Sequence, residues 1–88
     1  MSVPTAHNEQ TLTTWITTRV AEYLRRPPTE IDPTTPLAEY GLDSVAALSL
    51  CGDVEDHYEV TIDPTAAWDY PTVRALAGHL LTELEGQE

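Results

Sequence analysis

The chain has 88 residues and a mass of 9.7 kDa, which is one small domain or less. Its single cysteine, Cys51, excludes an internal disulfide, and no Cys/His spacing resembles a structural zinc site. Fifteen acidic residues against four arginines and no lysine give a formal charge of −11, which argues against binding nucleic acid or an anionic membrane and favours a partner with a basic face.

The first eight residues, from Met1 to Asn8, read as a flexible tail with neither the cationic nor the apolar segment of a signal peptide. No apolar run reaches the roughly 20 residues that span a bilayer. The expectation is a cytoplasmic chain. Apolar residues make up 41% of it, enough for a folded domain, here placed at 9–86 with a two-residue C-terminal tail at 87–88.

From Glu9 to Arg25, Leu12, Trp15, Ile16, Val20 and Leu24 recur at helical spacing and form one stripe of an amphipathic helix. Several threonines lower its intrinsic propensity, so packing must hold it. Arg25 and Arg26 suit the last turn, where cations complement the helix dipole, and Pro27-Pro28 stops it. Residues 27–43 then form a long connection holding four of the seven prolines. Ile31, Leu37 and Tyr40 are positioned to pin it to the core. It reads either as a functional loop or as a tethered surface loop.

A second helix begins at Asp43-Ser44 and runs to about His57, with Ala47, Leu50, Val54 and Tyr58 as its core stripe and Leu48 and Cys51 beside it. Gly52 within it either permits a close helix contact or is a tolerated defect. Val60-Thr61-Ile62 reads as an extended link. Asp63-Pro64 then offers a start for a short third helix at 64–69 carrying Trp68. Pro71 opens the last helix, where Val73, Leu76, Ala77, Leu80, Leu81 and Leu84 repeat clearly and Gly86 is placed to end it. The fold expected is all-α: a four-helix bundle with a long first loop and a short third helix.

The charge is uneven. Between Pro27 and Val73 there are ten acids and no Arg or Lys. The region reads either as a solvated face that keeps the chain soluble or as an electrostatic docking surface.

Gly41-Leu42-Asp43-Ser44 carries the chemistry. Gly41 permits a sharp turn, and Asp43 and Ser44 are both good N-cap types. Ser44 therefore sits at a helix N-terminus, where an anion on its hydroxyl would face unpaired N–H groups and the positive end of the dipole. Two readings follow, a simple helix cap or a phosphate ester site. With Val45, the segment resembles the G-[LIM]-D-S-[LVI] attachment motif of acyl carrier proteins. The Pro33-Thr34-Thr35-Pro36-Leu37 segment is similar to that family's first loop, and Asp69 to Ala77 is similar to the last-helix opening of its polyketide-synthase members. The resemblance covers roughly residues 10–85.

It implies a bundle of acyl-carrier type in which a phosphopantetheinyl transferase moves 4′-phosphopantetheine from coenzyme A onto Ser44. Gly41, Leu42 and Asp43 would belong to the attachment site, with Asp43 near the transferase's magnesium. Val45 would be either a hydrophobic contact for partner enzymes or a core residue, and Asp53, Glu55, Asp56 and Glu59 match the family's acidic recognition helix. The cargo would be an acyl or polyketide intermediate held as a thioester and delivered by a monomeric carrier to an acyl-loading enzyme, ketosynthase or acyltransferase with a basic docking face. A peptidyl or aryl carrier, or a noncovalent acidic docking module, are the alternatives.

Cys51-Gly52 and Tyr58 depart from the family's pattern, outside the attachment motif. No catalytic residue is assigned. Ser44 lacks the G-x-S-x-G elbow, and His57 lies 13 residues from it on the same helix. His7, His57 and His79 read as surface residues. No metal ligand set converges, and Cys51 reads as an inert buried thiol.

Overall fold

The computed structural model describes residues 8–86. The proposed tails at 1–7 and 87–88 lie outside the described residues. Four helices follow in order: α1 (Glu9–Leu24), α2 (Ser44–Tyr58), α3 (Ala66–Asp69) and α4 (Val73–Gly86). Two single 3₁₀ turns, Pro28–Glu30 and Leu37–Tyr40, lie in the connection between α1 and α2, and there is no strand among the described residues. No helix there is long and apolar enough to cross a membrane.

The apolar stripes face one another as their spacing requires. Leu12, Ile16 and Val20 of α1, Leu50 and Val54 of α2, and Val73, Leu76 and Leu80 of α4 are fully buried, with Trp15, Leu24, Leu81 and Leu84 packed at the edge. Burying each large side chain contributes about 1.5–3 kcal/mol. α1 lies chiefly along α4, while α3 packs against α2.

Helix ends correct the sequence reading in four places. Asn8, assigned to the tail, is the N-cap of α1: its side chain accepts the Thr11 N–H at 2.8 Å, and the Thr11 hydroxyl accepts the Asn8 N–H at 3.2 Å. This reciprocal box uses Thr where Glu or Gln is usual. Arg25 and Arg26 lie beyond the last turn. α1 stops because Arg25 turns left-handed (φ 57°), so that the Arg26 N–H reaches back to the Ala21 carbonyl at 3.0 Å. Pro71 precedes α4 rather than opening it. Thr72 is the capping residue, its hydroxyl accepting the Ala75 N–H at 3.0 Å. The third helix is also shorter than expected, because Asp63 caps a turn through Thr65 before α3 starts at Ala66.

The long loop is tied down at its middle and its end. Ile31 and Leu37 enter the core. The Tyr40 hydroxyl accepts the Asp32 N–H at 2.7 Å, and the loop bonds the α3–α4 junction through Leu37 N–H to the Pro71 carbonyl (2.8 Å) and Arg74 N–H to the Pro33 carbonyl (2.9 Å). These bonds fix where the loop delivers residues 41–44. Val60 and Ile62 of the second link are buried without forming a strand.

Candidate functional site

Ser44 is placed by three neighbours with separate tasks. Gly41 ends the 3₁₀ turn in the left-handed region (φ 87°), its N–H donating to the Ala38 carbonyl at 3.0 Å. A side chain there would be strained, which is why glycine is needed. Leu42 is half-buried against the core and anchors the turn. Asp43 is extended (φ −86°, ψ 176°), and its carboxylate accepts the Ala46 N–H at 2.8 Å while its carbonyl accepts the Ala47 N–H at 2.9 Å. Asp43 is thus the N-cap. Ser44 is the first residue of α2 and exposed. The capping duty that would explain a serine here as mere structure is taken by Asp43.

The first turn of a helix leaves N–H groups without intrahelical partners and carries the positive end of the dipole. Ser44 is exposed there, an environment that a phosphate ester on its hydroxyl would fit.

The large apolar side chains exposed at the surface gather at this end of the bundle. Val45 is 70% exposed, Leu48 49% and Trp68 56%. The exposure of Val45 sets aside the alternative that it packs in the core, and Leu48 does not flank the core as its position suggested. Trp68 borders a small apolar cleft of about 80 Å³ between the loop, α2 and α3, together with Leu37, Leu42, Ala47 and Pro71. A larger groove of about 490 Å³ runs along α1 to Tyr58. It lies roughly 20 Å along α2 from Ser44 and brings no nucleophile to it.

The four acids matched to a recognition helix divide into two pairs. Asp53 turns toward α1, where its carboxylate meets Arg19 at 2.8 Å and the Tyr23 hydroxyl. Partial burial pushes the Asp53 carboxyl up, but the bonds from Tyr23 and Arg19 outweigh it and hold the group below the ordinary range. Arg19 also bonds Glu22 at 2.8 Å and lies over the Trp15 ring. Glu55 is half-buried and accepts the Ile62 N–H at 2.9 Å, fastening the link after α2. Asp56 and Glu59 are exposed. The spacing on α2 showed four acids; which of them α1 and the link would claim depends on tertiary packing.

Gly52 makes no close helix contact. A Cβ built there meets nothing within 4 Å, which leaves the tolerated defect. Cys51 is buried, and that burial pushes its thiol up, away from reactivity. His57 is exposed and stacks on Trp15 at 4.7 Å, whereas His79 is half-buried and stacks on Tyr70 at 4.2 Å. His7 lies outside the described residues.

Known proteins are similar to this chain in sequence and in fold. The family model for a phosphopantetheine attachment site matches residues 14–80. A 6-methylsalicylic acid synthase of Arthrobotrys oligospora is 43% identical over 58 residues, which are 65% of this chain and 3% of the synthase. The polyketide synthase PksL of Bacillus subtilis is 33% identical over 72 residues, 82% of this chain and 2% of that one. The chain therefore spans a few hundredths of the length of these curated relatives. Among solved structures, a free-standing peptidyl carrier protein from Acinetobacter baumannii is similar with a TM-score of 0.86 and 43% identity, over 90% of this chain and 99% of that one. The acyl carrier protein LipD from Actinoplanes friuliensis gives a TM-score of 0.76 and 41% identity, over 98% and 96% of the two chains.

Proposed function

The chain belongs to the phosphopantetheine-attachment family of carrier domains, and from that premise we propose that Ser44 is the residue that takes the 4′-phosphopantetheine group. The observation that carries this reading is the division of labour at the start of α2: Asp43 caps the helix, and Ser44 stands exposed beside it. When bound, the group supplies a flexible arm ending in a thiol that holds acyl cargo as a thioester. The protein's own residues hold the arm's root. Gly41 and Leu42 fix the approach of the chain, Asp43 stiffens the first turn, and the helix N-terminus favours the phosphodiester charge.

A domain that runs from the Asn8 cap to residue 86, a monomeric state and a cytoplasmic location accompany this reading. The domain performs no chemistry alone. It acts by presenting cargo at high effective concentration to a phosphopantetheinyl transferase, then to an acyl-loading enzyme, ketosynthase or acyltransferase. Val45, Asp56 and Glu59 are the exposed members of the recognition set. Asp53 and Glu55 serve the fold. The likeness to polyketide synthases supports acyl or polyketide cargo. The likeness to a peptidyl carrier protein supports a second reading, aminoacyl or peptidyl cargo on the same arm.

Intact mass after incubation with coenzyme A, Mg²⁺ and a broad-specificity phosphopantetheinyl transferase tests the assignment. One phosphopantetheine should be gained by the wild type and none by Ser44→Ala. A gain by Ser44→Ala would place the group elsewhere. No gain by folded wild type would return Ser44 to a structural role and leave a noncovalent acidic docking module. Offering the loaded protein to acyltransferases and to amino-acid-activating enzymes then separates the two cargo classes.

A further inference from the structure

Transfer onto Ser44 demands alignment. A hydroxyl attacks phosphorus only when the two atoms are held about 3–3.5 Å apart and in line, and a displacement of about 1 Å can cost about a hundredfold in rate. Ser44 is the first residue of α2, so its direction is set by the chain that leads into it.

That chain is the 3₁₀ turn Leu37–Tyr40. Bonds from the Glu39 N–H to the Pro36 carbonyl and from the Gly41 N–H to the Ala38 carbonyl, both at 3.0 Å, hold its shape. They leave its tilt against the rest of the domain open. Among the described residues, two hydrogen bonds tie the turn to chain outside 36–42. At its start the Leu37 N–H donates to the Pro71 carbonyl at 2.8 Å. At its end the Tyr40 hydroxyl accepts the Asp32 N–H at 2.7 Å. Asp32 is itself a fixed point. Ile31 before it is buried, the Pro33 carbonyl after it accepts the Arg74 N–H, and its own carboxylate accepts the Thr34 N–H and hydroxyl.

Packing does not require the Tyr40 hydroxyl. The ring is half-buried against the core, a role that phenylalanine would fill. Asp32 is exposed, so water would satisfy its N–H if the hydroxyl were removed, and no buried donor would be orphaned. What the bond adds is a fixed direction for the turn that ends at Gly41.

We propose that Tyr40 is a positioning residue for the loading of Ser44: its hydroxyl, clasped on the Asp32 N–H, holds the preceding turn at the angle from which the serine meets phosphorus. The proposal rests on Ser44 being the loading site. Between the two residues lie a left-handed Gly41, a core-anchored Leu42 and a capping Asp43, which together leave little freedom to lose that angle.

The test is loading of Tyr40→Phe with coenzyme A, Mg²⁺ and a broad-specificity phosphopantetheinyl transferase. KM and kcat for the carrier are resolved separately, and the transfer step is followed by rapid quench in a single turnover. The surface offered to the enzyme is unchanged, so KM should stay within about twofold of the wild type. The single-turnover rate and kcat should fall about fivefold, equivalent to about 1 kcal/mol, the net value of one hydrogen bond. Thr34→Ala removes another side-chain bond of the same loop, from the Thr34 hydroxyl to the Asp32 carboxylate at 2.7 Å, and should leave both constants unchanged. Amide exchange by NMR gives a readout without the enzyme: the Gly41 and Leu42 N–H groups should exchange several-fold faster in Tyr40→Phe, with circular dichroism confirming the fold. Wild-type transfer rates in Tyr40→Phe make the hydroxyl a structural staple and overturn the proposal, whatever the change in Tm. An equal loss of rate in Thr34→Ala overturns it by assigning the effect to loop stability in general. A rise in KM with kcat unchanged overturns it by placing Tyr40 in contact with the enzyme. Absence of loading in folded wild type overturns the Ser44 assignment, and the proposal with it.

Discussion

At Ser44 four consecutive residues do four different things, and each task is local. A left-handed turn needs Gly41, a core anchor needs Leu42, a cap needs Asp43 and an exposed hydroxyl needs Ser44. The turn at Gly41 and a cap at Asp43 or Ser44 were legible in residue types at fixed spacing, whereas the choice of Asp43 as the cap and the anchoring of Leu42 emerged only with the packed structure. Asn8 was equally local but was obscured by its partner, since Thr11 occupies the position where a capping box usually has Glu or Gln. Gly52 was ambiguous in sequence because only the packing around it decides between contact and defect. With open space where its Cβ would stand, Gly52→Ala should gain about 1 kcal/mol from helix propensity and the reduced freedom of the unfolded chain. For a domain of this size that is a rise in Tm of roughly 4–8 °C. Thermal unfolding followed by circular dichroism measures it, and a Tm at or below the wild type would mean that glycine serves a conformation α2 needs.

At the level of helices, periodicity located all three long segments, because each buries a continuous stripe. Their ends were less legible, since a left-handed Arg25 or a capping Thr72 competes with the nearby proline for the same role. The assignment of Asp53 to a recognition face shows a different limit. A charge on a helix face has no visible partner until the neighbouring helix is in place. Here Arg19 and Tyr23 of α1 take it, making Asp53 a tether between α1 and α2. The pair is partly solvated, so Asp53→Asn should cost about 1 kcal/mol at neutral pH, below the value of a fully buried charged bond. The sign of its pH dependence follows from the depressed folded-state pKa. The contribution is complete above the unfolded carboxyl value of roughly 4 and is lost as pH falls through the lower folded value. Urea unfolding of both proteins at pH 7 and pH 3 should therefore show a gap that narrows in acid. A gap equal at the two pH values would mean that packing of Asp53, not its charge, holds the helices.

At the scale of the whole molecule the question is how a domain measuring 42 × 25 × 19 Å tolerates ten acids and no cation between Pro27 and Val73. Arg19 neutralises one of them, through Asp53. Small internal bonds settle others, as where the Asp32 carboxylate accepts the Thr34 N–H and hydroxyl and lies below its ordinary pKa. Hydrogen bonds of this kind satisfy a carboxylate without removing its charge, so mutual repulsion remains across the loop, α2 and α3. Repulsion over such distances is sensitive to screening: the Debye length is about 30 Å at 0.01 M salt and about 10 Å at 0.1 M. Raising NaCl from about 0.01 M to about 0.1 M should therefore increase Tm by several degrees, the loss from screening the single α1–α2 ion pair being smaller than the relief of many like-charge contacts. Differential scanning calorimetry across that range checks the balance. A Tm that falls with salt would mean that the Arg19 tether outweighs the repulsion and that the acidic region is too dispersed to act as one field. It would then guide no basic partner at a distance.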